Sequence, residues 1–313
     1  MTTYAVIDVE TTGFAADDRI VEIAVVVVDH DTRQVVDEFD TLVEPGRDVG
    51  PTRVHGITRS MVEAAPTFAD VAGSLSRVLA GSILVAHNLP FDERFVLAEF
   101  GRIGVGVDTG AGVCTLRLSG ERLDRACQRH GIDLAHHHRA LADARATASL
   151  LLALRDDTEV EHVVPVSFIS RLDPGVPRTL RRDAVVVERS DPETLALRPS
   201  RFRVRYPTTD EAAMGYLNIV DAYLDDLVLD DAERSSLAAL ADLYGLDRST
   251  CERLHRDYLM ALIDAALRDG VVSDREVSIM AAVAFALGVT DVELPAASSG
   301  SLLQVLEDAD PHA

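Results

Sequence analysis

The feature that most constrains this chain is residues 4–13, YAVIDVETTG, an apolar run that leads into two acids one residue apart and stops at a glycine. Val and Ile suit a pleated strand, where side chains i and i+2 share a face about 6.6 Å apart. Asp8 and Glu10 are therefore expected side by side at the end of a buried strand. Carboxylates this close repel, and each raises the other's pKa unless a cation stands between them. Two solvated acids before a turn are the plain alternative, and the downstream sequence has to decide.

Two more β-like runs, 20–29 and 34–43, follow after short turn-like breaks, so an antiparallel meander is expected. Residues 67–79 carry Phe68, Val71, Leu75, Val78 and Leu79 at helical spacing. Residues 82–86 read as a short buried strand, Pro90 sits in the first turn of a helix, and 121–130 and 141–154 read as further helices. Strands followed by alternating helix and strand predict an α/β domain with a mixed sheet over 1–155. Periodicity fades over 156–210, where six of the chain's 12 prolines fall. That stretch reads as a linker with short strand pieces at 184–188 and 202–206. From 211 the pattern is helical and repeated. Asp226-x₄-Asp231-x-Glu233 returns as Asp269-x₄-Asp274-x-Glu276 at a shift of 43 residues, and a Gly closes each unit at 245 and 288. A second, all-α domain over 211–292 is predicted, with a tail over 293–313. N-capping by Asp231, and by Asp274 or Ser273, accounts for most of the repeated acids.

At 313 residues and 47% hydrophobic content the chain has material for two cores. Its net charge of −22 argues against binding a polyanion through bulk attraction. The charge is uneven: residues 171–206 hold nine Arg against five acids, whereas 207–313 hold six Arg against 21 acids. Arg201, Arg203 and Arg205 alternate beside Phe202 and Tyr206, which reads either as a guide for a single strand or as a solvated, acid-paired face. Cys114, Cys127 and Cys251 lack metal-ligand spacing and are expected as reduced thiols. With no signal peptide and no apolar span of membrane length, a soluble cytoplasmic protein is expected.

Two further motifs bear on the opening acids. His87-Asn-Leu-Pro-Phe91-Asp92 follows a strand and opens a helix, and His138-x₄-Asp143 stands at the start of another. Each Asp has an ordinary role available, complementing a helix dipole. An i, i+5 pair lies about 140° apart around a helix, so His138 is expected on the preceding loop. Taken together and in this order, Asp8-x-Glu10-Thr-Thr-Gly13, His87-Asn88-x-x-Phe91-Asp92 and His138-x₄-Asp143 resemble the DnaQ-like 3′→5′ exonucleases of the His-bearing DEDD superfamily, over about residues 3–155.

The resemblance implies a ribonuclease H-like fold. It further implies Asp8, Glu10, Asp92 and Asp143 as metal carboxylates and catalytic residues, His138 as general base, and Thr11, His87 and Phe91 near the terminal nucleotide. His55 in His-Gly-Ile also fits the family, although a structural loop role suits it better. Four converging carboxylates call for hard cations, Mg²⁺ or Mn²⁺, two of which can clamp a phosphodiester. The expected substrate is nucleic acid, single-stranded DNA first and RNA as the alternative, with a non-catalytic binding scaffold as the contrasting class. The repeated helices are similar, more loosely, to the TerB-like domain over about 211–290, which implies a partner-binding or regulatory module.

Overall fold

The computed structural model describes residues 2–134, 139–154, 164–170, 172–173, 178–182, 202, 204–269 and 272–295. The strand piece expected at 184–188, Arg201 and Arg203 of the basic strip, and residues 296–313 of the tail lie outside the described residues. The chain divides into two compact units, Met1–Glu188 and Arg189–Ala313.

The first unit opens with the meander β1 (Thr3–Thr11), β2 (Ile20–Asp29) and β3 (Val35–Leu42). Short helices α1 (Thr52–His55) and α2 (Arg59–Val62) precede α3 (Phe68–Leu79), β4 (Ile83–Ala86) and α4 (Leu89–Arg102). Then come β5 (Val107–Asp108), β6 (Val113–Cys114), α5 (Thr115–Ser119), α6 (Leu123–His130), α7 (Ala140–Leu154) and β7 (Ser167–Phe168). The main sheet runs β3-β2-β1-β4-β6, antiparallel across its first three strands and parallel from β1 onward. This is the ribonuclease H-like mixed sheet.

β2 is buried along its whole length, so its near-continuous apolar run is that of a strand covered on both faces. On one face Tyr4, Val6, Ala24, Val26, Val28 and Val85 pack against Ala140, Ala144, Ala148 and Leu151 of α7. Alanines at that spacing let the helix lie close to the sheet. Helices α3 and α4 pack on β2 and β1 as well. Part of the expected linker belongs to this unit: β7 pairs with β5, and Leu180 exchanges hydrogen bonds with Leu42 N–H and the Thr41 hydroxyl.

The second unit holds α8 (Glu211–Tyr223), α9 (Asp231–Leu243), α10 (Arg248–Ala266) and α11 (Asp274–Leu287), with 3₁₀ turns at Leu224–Asp226 and Leu267–Asp269. The repeat is structural, because α9 and α11 each begin with a capping box, Asp230 with Glu233 and Ser273 with Glu276. The first cap is therefore Asp230, and Asp231 and Asp274 occupy the first helical position. Asp221 is fully buried and accepts from both the Tyr258 (2.6 Å) and Tyr206 (3.1 Å) hydroxyls. Phe202 and Tyr206 are buried while Arg205 is exposed, so these two aromatics serve the core rather than a nucleic-acid-stacking surface. The described part of 202–206 is not a strand. The three cysteines are free and buried. Among the described residues no helix is long and apolar enough to cross a membrane.

Candidate active site

Strand period alone puts Asp8 and Glu10 on the face of β1 that carries Tyr4 and Val6. Apolar side chains fill this face where α7 covers it. The acids begin where the helix runs out, and α7 presents Asp143 from its first turn toward them. Carboxylate oxygens of Asp8, Glu10 and Asp143 all lie within 4.8 Å of one another. Asp8 and Glu10 are half-buried and Asp143 is buried.

Asp92 arrives by a different route. β1 pairs with β4 only from Tyr4 to Val6, so the N–H of Val9 has lost its strand neighbour. Asp92, in the first turn of α4, accepts that N–H at 3.1 Å. The bond ties the helix to the strand that carries the other acids. Burial and then the charge of Asp143 push the Asp8 carboxyl well above its ordinary range, with Asp92 and Glu10 adding to it. Burial and Glu22 do the same to Glu10, opposed by Arg182. Burial raises Asp92 too, against the Val9 N–H.

The other expected residues separate into distinct surroundings. Thr11 is buried and its hydroxyl donates to the Gly13 carbonyl at 2.9 Å. The loop beyond β1 is held close by Gly50, whose left-handed φ of 79° and lack of a side chain let it lie on the Thr12 carbonyl. His87 is buried, with Nδ1 3.0 Å from the Thr115 hydroxyl and Nε2 3.0 Å from the Glu121 carbonyl. Both nitrogens are thus engaged inside the protein, at the junction of β4 and α4. Phe91 packs edge-on against Phe14 and Phe95, at 5.5 and 5.1 Å between ring centres. His55 is buried; its Nδ1 accepts from Ile57 N–H at 2.9 Å and its Nε2 reaches the Val49 carbonyl at 3.2 Å, a loop-bracing arrangement. His138 lies outside the described residues, as do His136 and His137.

Sequence reasoning passed over Glu22 and Arg182. Glu22 stands directly opposite Glu10 in the β1–β2 register, and cross-strand partners share a face. Its signal was visible: it is the one acid inside an otherwise apolar run from residue 20 to residue 28. Arg182 Nη1 donates to Glu22 Oε2 at 3.0 Å. Nothing near Arg182 in the sequence marks it, because the contact spans 160 residues.

A mixed sheet whose first strand ends in a part-buried carboxylate nest defines the class, a ribonuclease H-like α/β domain with an acidic site able to hold cations. Residues 5–151, close to half of the chain, match the family model described as Exonuclease (RNase_T). The chain is 39% identical over 166 residues to a DNA polymerase III subunit epsilon-like protein of Rhodobacter capsulatus, covering 49% of this chain and 23% of that protein. It is 35% identical over 167 residues to the PolC-type DNA polymerase III of Bacillus subtilis, covering 50% of this chain and 12% of that protein. The chain thus spans about a quarter or less of the length of these curated relatives. Among solved structures, Exonuclease X in complex with 5′ overhanging duplex DNA aligns with 50% of this chain and 93% of its own, at 28% identity and a TM-score of 0.40.

Proposed function

We propose that this protein is a metal-dependent 3′→5′ exonuclease that releases nucleoside monophosphates from the 3′ end of DNA, single strands in particular. The observation that carries this reading is the nest of Asp8, Glu10 and Asp143, with oxygens mutually within 4.8 Å on the exonuclease-matched part of the chain. The donor set fits hard divalent cations. It offers only carboxylate oxygens, whose pKa values are raised first by burial and then by one another's charge, and a bound cation offsets both. Asp8, Glu10, Asp92 and Asp143 are the proposed ligands for two Mg²⁺ or Mn²⁺ ions. Such ions supply Lewis acidity at the scissile phosphate and a nucleophilic water at neutral pH.

The chain's own groups do the rest. His138, with an ordinary pKa near 6.5, takes the proton of the attacking water as general base. Thr11 and the backbone beside it hold the terminal sugar. Phe91, with Phe14, walls the site at the nucleotide. A preference for DNA rests on the DNA polymerase III relatives. The helical unit is proposed as a TerB-like module that binds a protein partner through its acidic surface, on the strength of its 43-residue repeat.

The test uses 5′-labelled DNA and RNA strands of one sequence with Mg²⁺ or Mn²⁺. A ladder of shortening products on DNA, abolished by chelator and by Asp143→Ala, is expected. Faster shortening of RNA would reassign the substrate, and no shortening of either strand would replace the enzyme with a binding scaffold.

A further inference from the structure

A third strand acid, Glu22, shares the face of Asp8 and Glu10 at the end of the sheet, and it has a resident cation. Glu22 lies across from Glu10 in the β1–β2 register, an arrangement of like charges that is destabilising unless something offsets it. Arg182 Nη1 bonds Glu22 Oε2 at 3.0 Å, and the same oxygen accepts the N–H of Ala140 at 3.3 Å. Ala140 is the first residue of α7, the helix that presents Asp143. Glu22 therefore links Arg182 to the helix end that carries a nest acid. The arginine is seated from its other side too: Nη2 donates to the His55 carbonyl, and Gly56, at a φ of 68°, leaves room that a side chain would take, since a Cβ there would lie 2.9 Å from Nη2. Both charged groups are buried, with 7% and 5% side-chain exposure for Arg182 and Glu22.

We infer that Arg182 is a positioning residue for the carboxylate nest. It holds Glu22 as a closed ion pair, so that only Asp8, Glu10, Asp92 and Asp143 are left to bind divalent ions. The charges balance on this arrangement: two divalent cations offset four carboxylates, and one guanidinium offsets the fifth. The exonuclease match ends at residue 151, so the residue that sets this balance comes from chain beyond the matched domain. A consequence is that a fragment ending near 155 has the ligands but not the cation that sorts them. The inference rests on the metal-dependent reading proposed above.

Mn²⁺ binding to the full chain, measured by calorimetry without nucleic acid, tests the inference separately from turnover. Arg182→Gln frees a buried negative charge beside Glu10, so Mn²⁺ is expected to bind about fivefold more tightly, a Coulomb effect on the order of 1 kcal/mol. With the ions drawn toward Glu22, kcat on a DNA strand falls about tenfold or more while KM changes little. Adding Glu22→Gln to Arg182→Gln returns Mn²⁺ affinity to near the parent value and recovers most of kcat. A merely structural role gives no such rescue. Glu22→Gln alone leaves Arg182 unbalanced and weakens Mn²⁺ binding, and that opposite sign decides the matter if Arg182→Gln does not fold. Mn²⁺ affinity unchanged in Arg182→Gln, or in Glu22→Gln if the former does not fold, overturns the inference. A parent that binds Mn²⁺ but hydrolyses no strand would sink the exonuclease reading and leave the affinity comparison to stand by itself.

Discussion

Asp92 Oδ1 accepts the backbone N–H of Val9 at 3.1 Å, so one carboxylate closes the end of β1 while its charge acts on Asp8 of the acid nest. These two roles can be pulled apart. Asp92→Asn keeps an acceptor for Val9 and removes the charge, and a melting temperature at or above that of the metal-free parent is expected. Asp92→Ala leaves a buried N–H without a partner and is expected to lose about 1–3 kcal/mol more. Both variants lose hydrolysis. Denaturant melts beside a strand-shortening assay separate the two roles, and equal stability of the two variants would show that the Val9 bond contributes little.

Asp143 offers a cleaner loss of chemistry. It stands in the first turn of α7 and is buried against Asp8 and Glu10. Removing it takes away a proposed metal ligand and, in the metal-free state, a source of repulsion. Asp143→Ala is expected to lower kcat by about 10³-fold or more, matching the several kcal/mol a bound ion contributes, with an unchanged circular dichroism spectrum. Near-normal turnover in the folded variant would refute the assignment.

The nest also predicts how metal and pH act on stability. The carboxyls of Asp8, Glu10 and Asp92 are raised in the folded state by burial and mutual charge. The folded protein then binds more protons than the unfolded chain, so stability falls as pH rises from the ordinary carboxylate range through the raised values. Relative to Asp8→Asn/Glu10→Gln, the metal-free parent should lose melting temperature steadily as pH rises above about 4, the ordinary carboxylate range. Mg²⁺ should restore it, and most at the upper end, because the cation replaces the protons. A difference that is flat with pH, or that widens on acidification, would contradict this account.

His87 is expected to matter for the fold and not for substrate affinity. Burial holds its imidazole down to about pKa 4, so it stays neutral at neutral pH with both nitrogens bonded to Thr115 and Glu121. A lowered histidine pKa means that stability is lost as pH falls from about 6.5 toward about 4. His87→Phe removes that acid sensitivity and strands buried partners, at about 2–4 kcal/mol for two lost bonds. KM for a DNA strand, measured on folded protein, should remain within about twofold of the parent. A large rise in KM with unchanged stability would return His87 to the nucleotide.

The repeated capping boxes supply a control far from the nest in sequence. Asp230→Ala and Ser273→Ala remove equivalent caps 43 positions apart. Each should destabilise its helix by about 1 kcal/mol. Thermal melts of the two variants should shift by similar amounts. A shift for one and none for the other would show that the two repeats are packed differently.

How much of this was written in the chain depends on the range of the interaction. Residues 4–13 alone determined a strand with two acids on one face, since a period of two needs no neighbour to enforce it. The meander, α3, α4 and α7 were legible for the same local reason, apolar spacing and punctuation by Gly and Pro. Short pieces such as α1, α2, β5 and β7 were not, because two to four residues carry no period. The 43-residue repeat was plain, yet its cap moved from Asp231 to Asp230, a one-residue choice made by backbone geometry.

Only the tertiary structure decided which charged groups meet. The register that sets Glu22 opposite Glu10 is a pairing between two strands, and a shift of one residue would turn that acid to the other side. His87 was turned inward by Thr115 and Glu121, 28 and 34 residues away. Arg182 reaches Glu22 across 160 residues, in a stretch that sequence reading left as linker. Local chemistry fixed which residues carry carboxylates at the strand end, and long-range packing fixed which of them meet one another and which meets an arginine.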